Sequence, residues 1–332
     1  MSSLSVGLVG LANVGKSTLF NALLKKQQAY VANFPFATIE PNIGIIPVPD
    51  ERLRSLAEVI KKSEKMDGLP PEVPAVVQFV DIAGLIEGAH KGEGLGNKFL
   101  SHIRQVTAIC HVVRAFSDPD VIKQGVTDPV SDFEVVKTEL ELADIDTEEG
   151  HKKKKNQDME SLPLFSKKPI LVVLNIDEKE VANASGLEKK YAEEFGLEEN
   201  QVIAVCAKVE AELAELGIDD QKAYLADLGV QNSGLERIIS KAFKTLGLIT
   251  FLTAGEKEVR AWTIKKDTNA QAAAGTIHTD FSDKFIKADV VNFDDFVQNN
   301  GWKACRELGK VRSEGVDYIV EDGDVIEFKV GR

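Results

Sequence analysis

The sequence predicts an α/β protein with a mainly parallel sheet, an inserted helical segment and a smaller C-terminal domain. Short apolar runs alternate with helical patterns over the first two thirds of the 332 residues, as strands joined by crossover helices do. An acidic, helix-prone segment interrupts that alternation. From about Thr250 the chain changes to short strand-like pieces bounded by Gly and Asp turns, which are typical of a small mixed α/β or β-rich module.

The strands predicted for the first domain are short apolar runs. They read "LSVGLVG", "VVQFVDIAG", "AICHVVRAF", "PILVVLNID" and "QVIAVCAK", and the patterns "STLFNALLKK" and "NKFLSHIRQV" predict connecting helices. Mainly parallel sheets of this kind bind ligands at the carboxyl ends of their strands. The residues that follow these runs are therefore the candidates for a functional site.

The inserted segment lies between Phe116 and Pro169. Its first part, "SDFEVVKTELELADIDTEEG", predicts a helix, and the lysine run Lys152–Lys155 is interpreted as a solvated helix end, with an RNA contact as the alternative. In the C-terminal domain the strand-like pieces are "KEVRAWTIKK", "TNAQAAAGTIHTDFSDKFIKADVV" and "DYIVEDGDVIEFKV". The predicted domains are 1–120 with 168–246, the inserted arm 121–167, and the C-terminal domain 247–332.

Composition and charge narrow the class of protein. With 43% hydrophobic and 28% charged residues the chain is predicted to be globular. A formal net charge of -13 argues against DNA binding and against coating nucleic acid, and leaves only a local RNA-contacting patch. No apolar run reaches the roughly 18 residues of a membrane span and no signal peptide is evident, so a cytoplasmic protein is predicted. The three cysteines lack metal or disulfide spacing and are interpreted as reduced and buried.

The stretch "GLANVGKS", Gly10–Ser17, fits the pattern GxxxxGK[ST] and lies between a predicted strand and a predicted helix. Its glycines let the backbone curl so that successive N–H groups point at phosphate oxygens, and the helix N-terminus adds its dipole. Lys16 is predicted to bridge the terminal phosphates, and the hydroxyl of Ser17 to bind Mg²⁺. The neighbouring residues Val14, Gly15 and Thr18 are predicted to contact the nucleotide as well.

Two further segments complete the predicted phosphate site. Asp81 ends the run "VVQFVD", where its carboxylate can hold Mg²⁺ through a water molecule, and the N–H of Gly84 can approach a γ-phosphate. Thr38, in the loop "NFPFATIEPN", is expected to close on Mg²⁺ only when the γ-phosphate is present. A loop threonine without function is the alternative for Thr38, and its place between the other two segments favours the metal role.

Together these motifs resemble the Obg-like ATPases of the YchF family, a group of P-loop switch proteins. The resemblance implies a Ras-like nucleotide domain, an inserted helical arm and a C-terminal TGS domain of β-grasp-like fold, with ATP hydrolysis and ribosome association. Family members carry a long coiled-coil arm where this chain has only a short stretch between Asp146 and Leu171. The arm is therefore predicted to be shortened, with an arm partly missing from the sequence as the alternative. The matching stretches, which span nearly the whole chain, are "NVGKSTLFNAL", "NFPFATIEPN", "FVDIAGLIEGAHKGEGLGNKFL", "ELELADID", "TAGEKEVRAWTI", "AAGTIHTDF" and "DYIVEDGDVIEF".

The base of the nucleotide is predicted from the stretch that follows "PILVVL". Guanine-reading switch proteins carry Asn-Lys-x-Asp there, whereas this chain has Asn175, Ile176, Asp177 and Glu178. The extra methylene of Glu178 displaces the carboxylate that would grip guanine, and a polar site discriminates strongly when such a bond fails. ATP is therefore predicted over GTP.

Adenine has no 2-amino group, so Asn175 and backbone groups near Ile176 and Ala207 can serve it, with Ile176 packed on the ring. Cys206 and Ala207 lie in the loop "VCAK" after another predicted strand and are expected to flank the base from the other side. The predicted base contacts thus come from two separate strand ends.

The residue that usually orients the attacking water in related switch proteins is missing from its position in this sequence. Many related switch proteins have Gln directly after "DxxG", where this chain has Leu85. Asn13 resembles the asparagine that helps hold K⁺ against the phosphates in some relatives, so K⁺ is a second predicted cofactor. The alternative for Asn13 is a loop asparagine that tolerates an unusual backbone angle. His90, in the same glycine-rich segment as Gly84, is interpreted as a surface histidine.

Two other functions stay open at the level of sequence. One is an Obg-like GTPase in ribosome assembly, and the other is a nucleotide-bound interaction module without turnover. In the C-terminal domain Arg260, Lys284 and Lys287, near His278, are candidates for contact with RNA or a ribosomal subunit. Scattered solvated charges on a small domain are the plainer alternative.

Overall fold

The structure, a computed structural model, describes residues 5–33, 42–82, 95–117, 128–153 and 164–331. Its strands are β1 (Ser5–Val9), β2 (Ile43–Pro47), β3 (Glu72–Val73), β4 (Val76–Asp81), β5 (Ala108–Ala115), β6 (Ile170–Ile176), β7 (Val202–Val205), β8 (Leu248–Ala254), β9 (Val259–Lys265), β10 (Phe285–Asn292), β11 (Arg312–Glu314) and β12 (Asp324–Val330). Its helices are α1 (Lys16–Asn33), α2 (Glu51–Ser63), α3 (Leu95–Gln105), α4 (Pro129–Lys153), α5 (Ala184–Phe195), α6 (Ala207–Leu213), α7 (Ile218–Asp227), α8 (Gly234–Thr245), α9 (Ala270–Ile277), α10 (Thr279–Asp283), α11 (Phe293–Gln298) and α12 (Trp302–Glu307).

The first compact unit, Met1–Ile46 with Val77–Leu246, is built on a six-stranded sheet in the order β2-β4-β1-β5-β6-β7. The pairs from β4 through β7 are all parallel, with Leu8 of β1 opposite Asp81 on one side and Cys110 on the other. The predicted mainly parallel α/β fold is confirmed. Because the carboxyl ends of parallel strands share one edge, the residues after β1, β4, β5, β6 and β7 are brought together there.

The inserted acidic segment forms α4, an amphipathic helix. Phe133, Val136, Leu140 and Ala143 recur every three or four residues and pack in the apolar core beside the sheet. Beyond residue 163 the chain is fixed to α4 by Asp144, whose carboxylate oxygens accept from the backbone N–H groups of residues 165 and 166 at 2.7 and 2.9 Å. Among the described helices none combines the length and the apolarity that crossing a bilayer requires.

The second compact unit comprises Pro47–Val76 and Gly247–Arg332, with a sheet in the order β11-β10-β12-β8-β9-β3. Strands β8 and β9 pair antiparallel, as do β10 and β12, while β12 and β8 are parallel neighbours. The unit resumes at Gly247, where the C-terminal domain was predicted to begin. Residues 47–76, in contrast, belong to this unit and not to the first domain, where the sequence placed them.

The segment 47–76 is held in the second unit by α2 and by one arginine. The guanidinium of Arg52 donates to Asp50 and to Thr250 at 2.7 Å each, and to Asp322 at 3.0 Å. The other carboxylate oxygen of Asp322 accepts from the N–H of Thr250 at 2.9 Å. The bonds from Arg52 to Thr250 and Asp322 join residues 198 and 270 positions apart in the chain, so local patterns of hydrophobicity could not predict them.

One part of the C-terminal domain differs from its predicted structure. The stretch "TNAQAAAGTIHTDFSD", predicted as strand-like, forms α9 and α10. Four alanines in α9 favour a helix, and Asn269 caps it by accepting from the N–H of Ala272 at 2.9 Å. The strand prediction was therefore wrong. Both the alanine run and the capping asparagine are present in the sequence and favour a helix.

Candidate nucleotide-binding site

The carboxyl edge of the first sheet opens into a cleft of about 1480 Å³. Such a volume exceeds the roughly 300–1,000 Å³ of most small-molecule sites and has room for a nucleoside triphosphate. Of the predicted nucleotide-binding residues, only Val14 does not line the cleft, because its side chain is buried under the loop. The others that line it are Asn13, Gly15, Lys16, Ser17, Thr18, Asn175, Ile176, Glu178, Cys206 and Ala207.

The loop between β1 and α1 is shaped by residues with positive φ. Gly10 has φ 155°, Asn13 61° and Gly15 96°, and a Cβ on Gly15 would collide with the side-chain nitrogen of Asn175. Glycine is therefore needed at Gly15 both for the backbone angle and for the close approach. Asparagine tolerates the left-handed region better than most residues, so the backbone role of Asn13 is observed. Its role toward K⁺ stays a prediction.

The side chain of Lys16 is folded back over this loop. It is 8% exposed, and Nζ donates to the carbonyl oxygens of Gly10 and Leu11 at 2.9 and 2.5 Å. Burial lowers the pKa of Lys16 to about 8, and the carboxylate of Asp81 offsets part of this effect. A phosphate in the cleft would favour the charged ammonium by supplying the negative partner that burial otherwise denies it.

Asp81 and Ser17 provide the oxygen atoms of a candidate Mg²⁺ site. Asp81 ends β4, half-buried, and burial raises the pKa of its carboxyl while Lys16 lowers it. Ser17 is exposed in the first turn of α1 and lines the cleft. A hydroxyl and a carboxylate suit Mg²⁺, which keeps water and phosphate oxygens as its other ligands. The described residues include no group of three or more His, Cys, Asp and Glu that could hold a metal, so a metal held largely by nucleotide fits this donor set.

Two predicted catalytic residues, Thr38 and Gly84, lie outside the described residues, as do Leu85 and His90. Their roles stay predictions. On the described part of the phosphate side, Lys16, Ser17 and Asp81 occupy the positions where β1 and β4 end side by side.

Asn175 ties two loops of the cleft together. It is 6% exposed; Nδ2 donates to the carbonyl oxygen of Val14 at 3.0 Å, and Oδ1 accepts from the N–H of Ala207 at 2.9 Å. The observed contacts of Asn175 therefore join the phosphate-binding loop to the chain after β7. Its predicted contact with adenine stays a prediction.

Ile176 and Glu178 differ in how much side-chain surface they expose to a base bound in the cleft. Ile176 is 2% exposed and packs in an apolar core cluster with Val172 and Leu174, because it continues the buried face of β6. It leaves little surface for the predicted packing on a purine ring. Glu178 is exposed on the cleft where a short 3₁₀ helix, Glu178–Asn183, begins.

Cys206 and Ala207 are buried at the start of α6 and line the cleft opposite β6. Burial is the main cause that raises the pKa of the Cys206 thiol, so the thiol stays protonated at neutral pH. The three cysteines in the chain are free and buried, as the sequence predicted. Cys206 therefore helps to form the surface of the cleft and does not act as a nucleophile.

One aromatic residue of the cleft was missed in the sequence. Phe116 follows β5 directly, is half-buried and lines the cleft together with Ser117. The guanidinium carbon of Arg114 lies 4.5 Å from the centroid of its ring. The run "AICHVVRAF" ends in this phenylalanine at the carboxyl end of a predicted strand, so the rule that ligands bind at strand ends could have found it.

His111 lies in the floor of the sheet. Its ring is 1% exposed and stacks on Phe133 of α4, with 5.4 Å between the ring centroids. Burial lowers the pKa of His111 to about 3, and the charge of Lys16 lowers it further. His111 is therefore neutral in the folded protein at physiological pH.

Family models match most of the chain. Residues 5–176 match a model described as "50S ribosome-binding GTPase". Residues 248–331 match the model YchF-GTPase_C, described as "Protein of unknown function (DUF933)". The first match lies within the predicted nucleotide domain and arm but includes residues 47–76, which the structure assigns to the second unit, and the second match lies within the C-terminal domain.

Full-length relatives and a solved structure are similar to the chain. It is 45% identical to the "Ribosome-binding ATPase YchF" of Bacillus subtilis (strain 168), with 98% of this chain and 99% of the relative aligned. It is 40% identical to the protein of the same name from Mycoplasma genitalium, over 98% and 99% of the two chains. The solved "Structure of the Schizosaccharomyces pombe YchF GTPase" matches with a TM-score of 0.83 and 32% identity, over 99% of this chain and 98% of that one.

These names disagree on the nucleotide. The curated bacterial relatives are called ATPases, whereas the solved structure and one family model are called GTPases. The alignment with the Bacillus subtilis protein runs over 370 positions against 332 residues here, so that relative has residues that this chain lacks. The shortened arm stays a prediction, since nothing locates the missing residues.

Proposed function

The chain belongs to the YchF family, and we propose on this basis that it hydrolyses ATP to ADP and phosphate with Mg²⁺ and associates with ribosomes according to its nucleotide state. The observation that supports this most is the cleft itself. Its phosphate end carries the buried Lys16, whose charge interacts with the carboxylate of Asp81. At its base end Ile176 and Glu178 stand where guanine-binding switch proteins have Lys and Asp. ATP hydrolysis and ribosome binding are also what the names of the bacterial relatives state.

At the phosphate end, Lys16 binds the terminal phosphates and stabilises the negative charge there, since phosphate oxygens are stronger acceptors for its ammonium group than the carbonyl oxygens of Gly10 and Leu11 that it now contacts. Ser17 and Asp81 hold Mg²⁺, Asp81 through a water molecule, and Thr38 is proposed as a third ligand. When bound, Mg²⁺ neutralises charge on the transferred phosphoryl oxygens. The N–H of Gly84 is proposed to contact the γ-phosphate.

At the base end, adenine is favoured because the position of the guanine-gripping carboxylate is taken by the longer Glu178, exposed at the rim. Asn175 is engaged with Val14 and Ala207, and the rest of this wall combines apolar side chains, such as Phe116 and Ala207, with polar ones, such as Asp177 and Lys208. Apolar surface alone hardly distinguishes purines. The preference for ATP therefore rests on the loss of bonds to guanine more than on new bonds to adenine.

Three finer proposals go with this function. Asn13 helps to hold K⁺ against the phosphates, which would replace charge stabilisation that Leu85 cannot give. Arg260, Lys284 and Lys287 contact RNA of a ribosomal subunit, although Arg260 already stacks on Trp262 at 4.0 Å and lies 3.6 Å from Glu258. A protein bound to ribosomes would work in the cytoplasm.

The function is tested by hydrolysis of radiolabelled ATP and GTP by the purified chain with Mg²⁺, in K⁺ and in Na⁺. We expect ATP to be turned over more efficiently than GTP, faster in K⁺, and Lys16→Ala to abolish the reaction. GTP hydrolysed tenfold more efficiently would support the alternative of a GTPase in ribosome assembly. Absence of turnover even with K⁺ and ribosomes would support an interaction module. Sedimentation with ribosomal subunits, with and without an ATP analogue, tests the partner.

A further inference from the structure

At the base end of the cleft, Phe116 and Ser117 follow β5 directly and are each held by a charged side chain. Arg114 contacts Phe116, and Asp177 accepts a hydrogen bond from Ser117. We propose that Arg114 and Asp177 are positioning residues that hold Phe116 and Ser117 against the cleft, so that the Phe116 ring serves as a platform for the purine. This inference rests on the proposed function, since it needs a nucleotide in the cleft.

Arg114 fixes the ring from within the sheet. It is 5% exposed and lies opposite Asn175 in the parallel register of β5 and β6. Its guanidinium carbon lies 4.5 Å from the centroid of the Phe116 ring, and Nε donates to the carbonyl oxygen of Phe116 at 3.3 Å. The same buried cation therefore contacts the face of the ring and holds the backbone that carries it.

Asp177 fixes the next residue from the neighbouring strand. It follows β6, is half-buried, and its Oδ2 accepts from the N–H of Ser117 at 3.2 Å. A bond to an ionised acceptor is stronger than one between neutral groups. The bond joins residues 60 positions apart, so the turn after β5 is held by a carboxylate outside its own segment.

A ring held in this way would act on the purine without selecting it. Bases stack on aromatic side chains through faces that every base has, so stacking tolerates a change of base. Loss of the platform should therefore weaken adenine and guanine nucleotides to the same extent. It should raise KM and leave kcat unchanged, because the base is equally bound in the ground state and in the transition state.

The test measures binding of Mg·ADP and Mg·GDP to the full chain by isothermal titration calorimetry. Asp177→Ala removes the acceptor, and we expect both dissociation constants to rise about fivefold, as loss of one bond to a partly buried charged group would cause. Asp177→Asn keeps an oxygen that can accept from Ser117 and should recover most of the loss. Glu193→Ala, an exposed acid of α5 outside the cleft, is the matched control.

A direct contact between Asp177 and the nucleotide is separated from positioning by a double-mutant cycle with Phe116→Leu. If Asp177 acts through the ring, the double variant binds no more weakly than Phe116→Leu alone. Multiplied effects, or a change confined to one base, would overturn the inference in favour of direct contact. The melting temperature of each variant is measured so that loss of fold is not mistaken for loss of the platform.

The outcomes for the inference and for the proposed function differ. A wild-type chain that binds neither nucleotide contradicts both. A wild-type chain that binds Mg·ADP and an Asp177→Ala variant with the same dissociation constant contradicts only the positioning role. A fall in kcat with KM unchanged would contradict it too, because a base platform cannot act on the chemical step alone.

Discussion

The cleft has two walls that are held in place by different means. The phosphate wall, residues 10–17, is one continuous loop whose shape is set by positive φ angles of its backbone. The base wall, residues 116–117, 175–178 and 206–208, is assembled from the ends of three strands and joined by side-chain hydrogen bonds. One wall is therefore local in sequence and the other is not.

This difference determines how each wall should respond to substitution. In a loop whose course depends on backbone angles and close contacts, an added side-chain atom forces the backbone that carries the N–H groups to move. A wall joined by separate hydrogen bonds loses affinity in steps, because each net bond contributes a limited free energy. We expect abrupt loss on the phosphate wall and graded loss on the base wall.

Gly15→Ala should have the largest effect. A Cβ at this residue meets the side-chain nitrogen of Asn175, and φ of 96° is strained for any residue but glycine. We expect affinity for Mg·ADP to fall about 100-fold or more, because displaced N–H groups lose several charge-assisted hydrogen bonds to phosphate oxygens at once. Gly229→Ala, also at positive φ but in open space, is the control in calorimetry and should bind normally. A small effect of Gly15→Ala would contradict the account of the phosphate wall.

His111 tests whether the floor beneath the phosphate wall must stay uncharged. Its pKa is lowered to about 3 in the folded protein by burial and then by Lys16, against about 6.5 in an unfolded chain. Below pH 6.5 His111 therefore becomes protonated in the unfolded chain but stays neutral in the folded chain. The free energy of unfolding consequently decreases as the pH falls from 6.5 toward 3. The expected loss from this one group is about 2 kcal/mol at pH 5.

His111→Phe removes that proton uptake while keeping a ring to stack on Phe133. Urea unfolding at pH 7 and pH 5 should therefore show a smaller acid-induced loss in this variant than in the wild type. His102→Phe, at an exposed position of α3, should keep the wild-type difference between the two pH values. Equal losses in His111→Phe and wild type would show that the histidine is not buried as a neutral ring.

Asn175→Ala tests the bond between the two walls. It leaves the carbonyl of Val14 and the N–H of Ala207 without their partner, and we expect Mg·ADP and Mg·GDP to bind about tenfold more weakly. Equal losses would mean that Asn175 positions the walls. A loss for ADP alone would instead make it an adenine reader. Asn200→Ala, which removes an exposed hydrogen bond to Glu198, should leave both constants unchanged.

The contrast between the walls also explains what the sequence could predict. Gly10–Ser17 carries its geometry in its own spacing, and the alternation of strands and helices predicts a parallel sheet, so both the phosphate loop and the type of sheet could be predicted. Ile176 was predicted to pack on the purine because it stands at the lysine position of the Asn-Lys-x-Asp motif. In the structure it instead continues the apolar run of β6 and packs in the core. The attachment of α2 by Arg52 depends on partners distant in the chain, and no local pattern contains them.

Base choice should show the smallest effect and is the sharpest test of the base wall. Glu178→Asp shortens an exposed carboxylate, and we expect affinity for Mg·GDP to rise about threefold, since a bond regained at the rim contributes little. Adding Ile176→Lys should give little more, because that side chain is 2% exposed within an apolar cluster and a buried ammonium is costly. Competition calorimetry measures the ratio of the two nucleotides, with Glu180→Asp, which does not line the cleft, as the control. If Glu178→Asp leaves that ratio unchanged, the preference for adenine must arise elsewhere in the base wall.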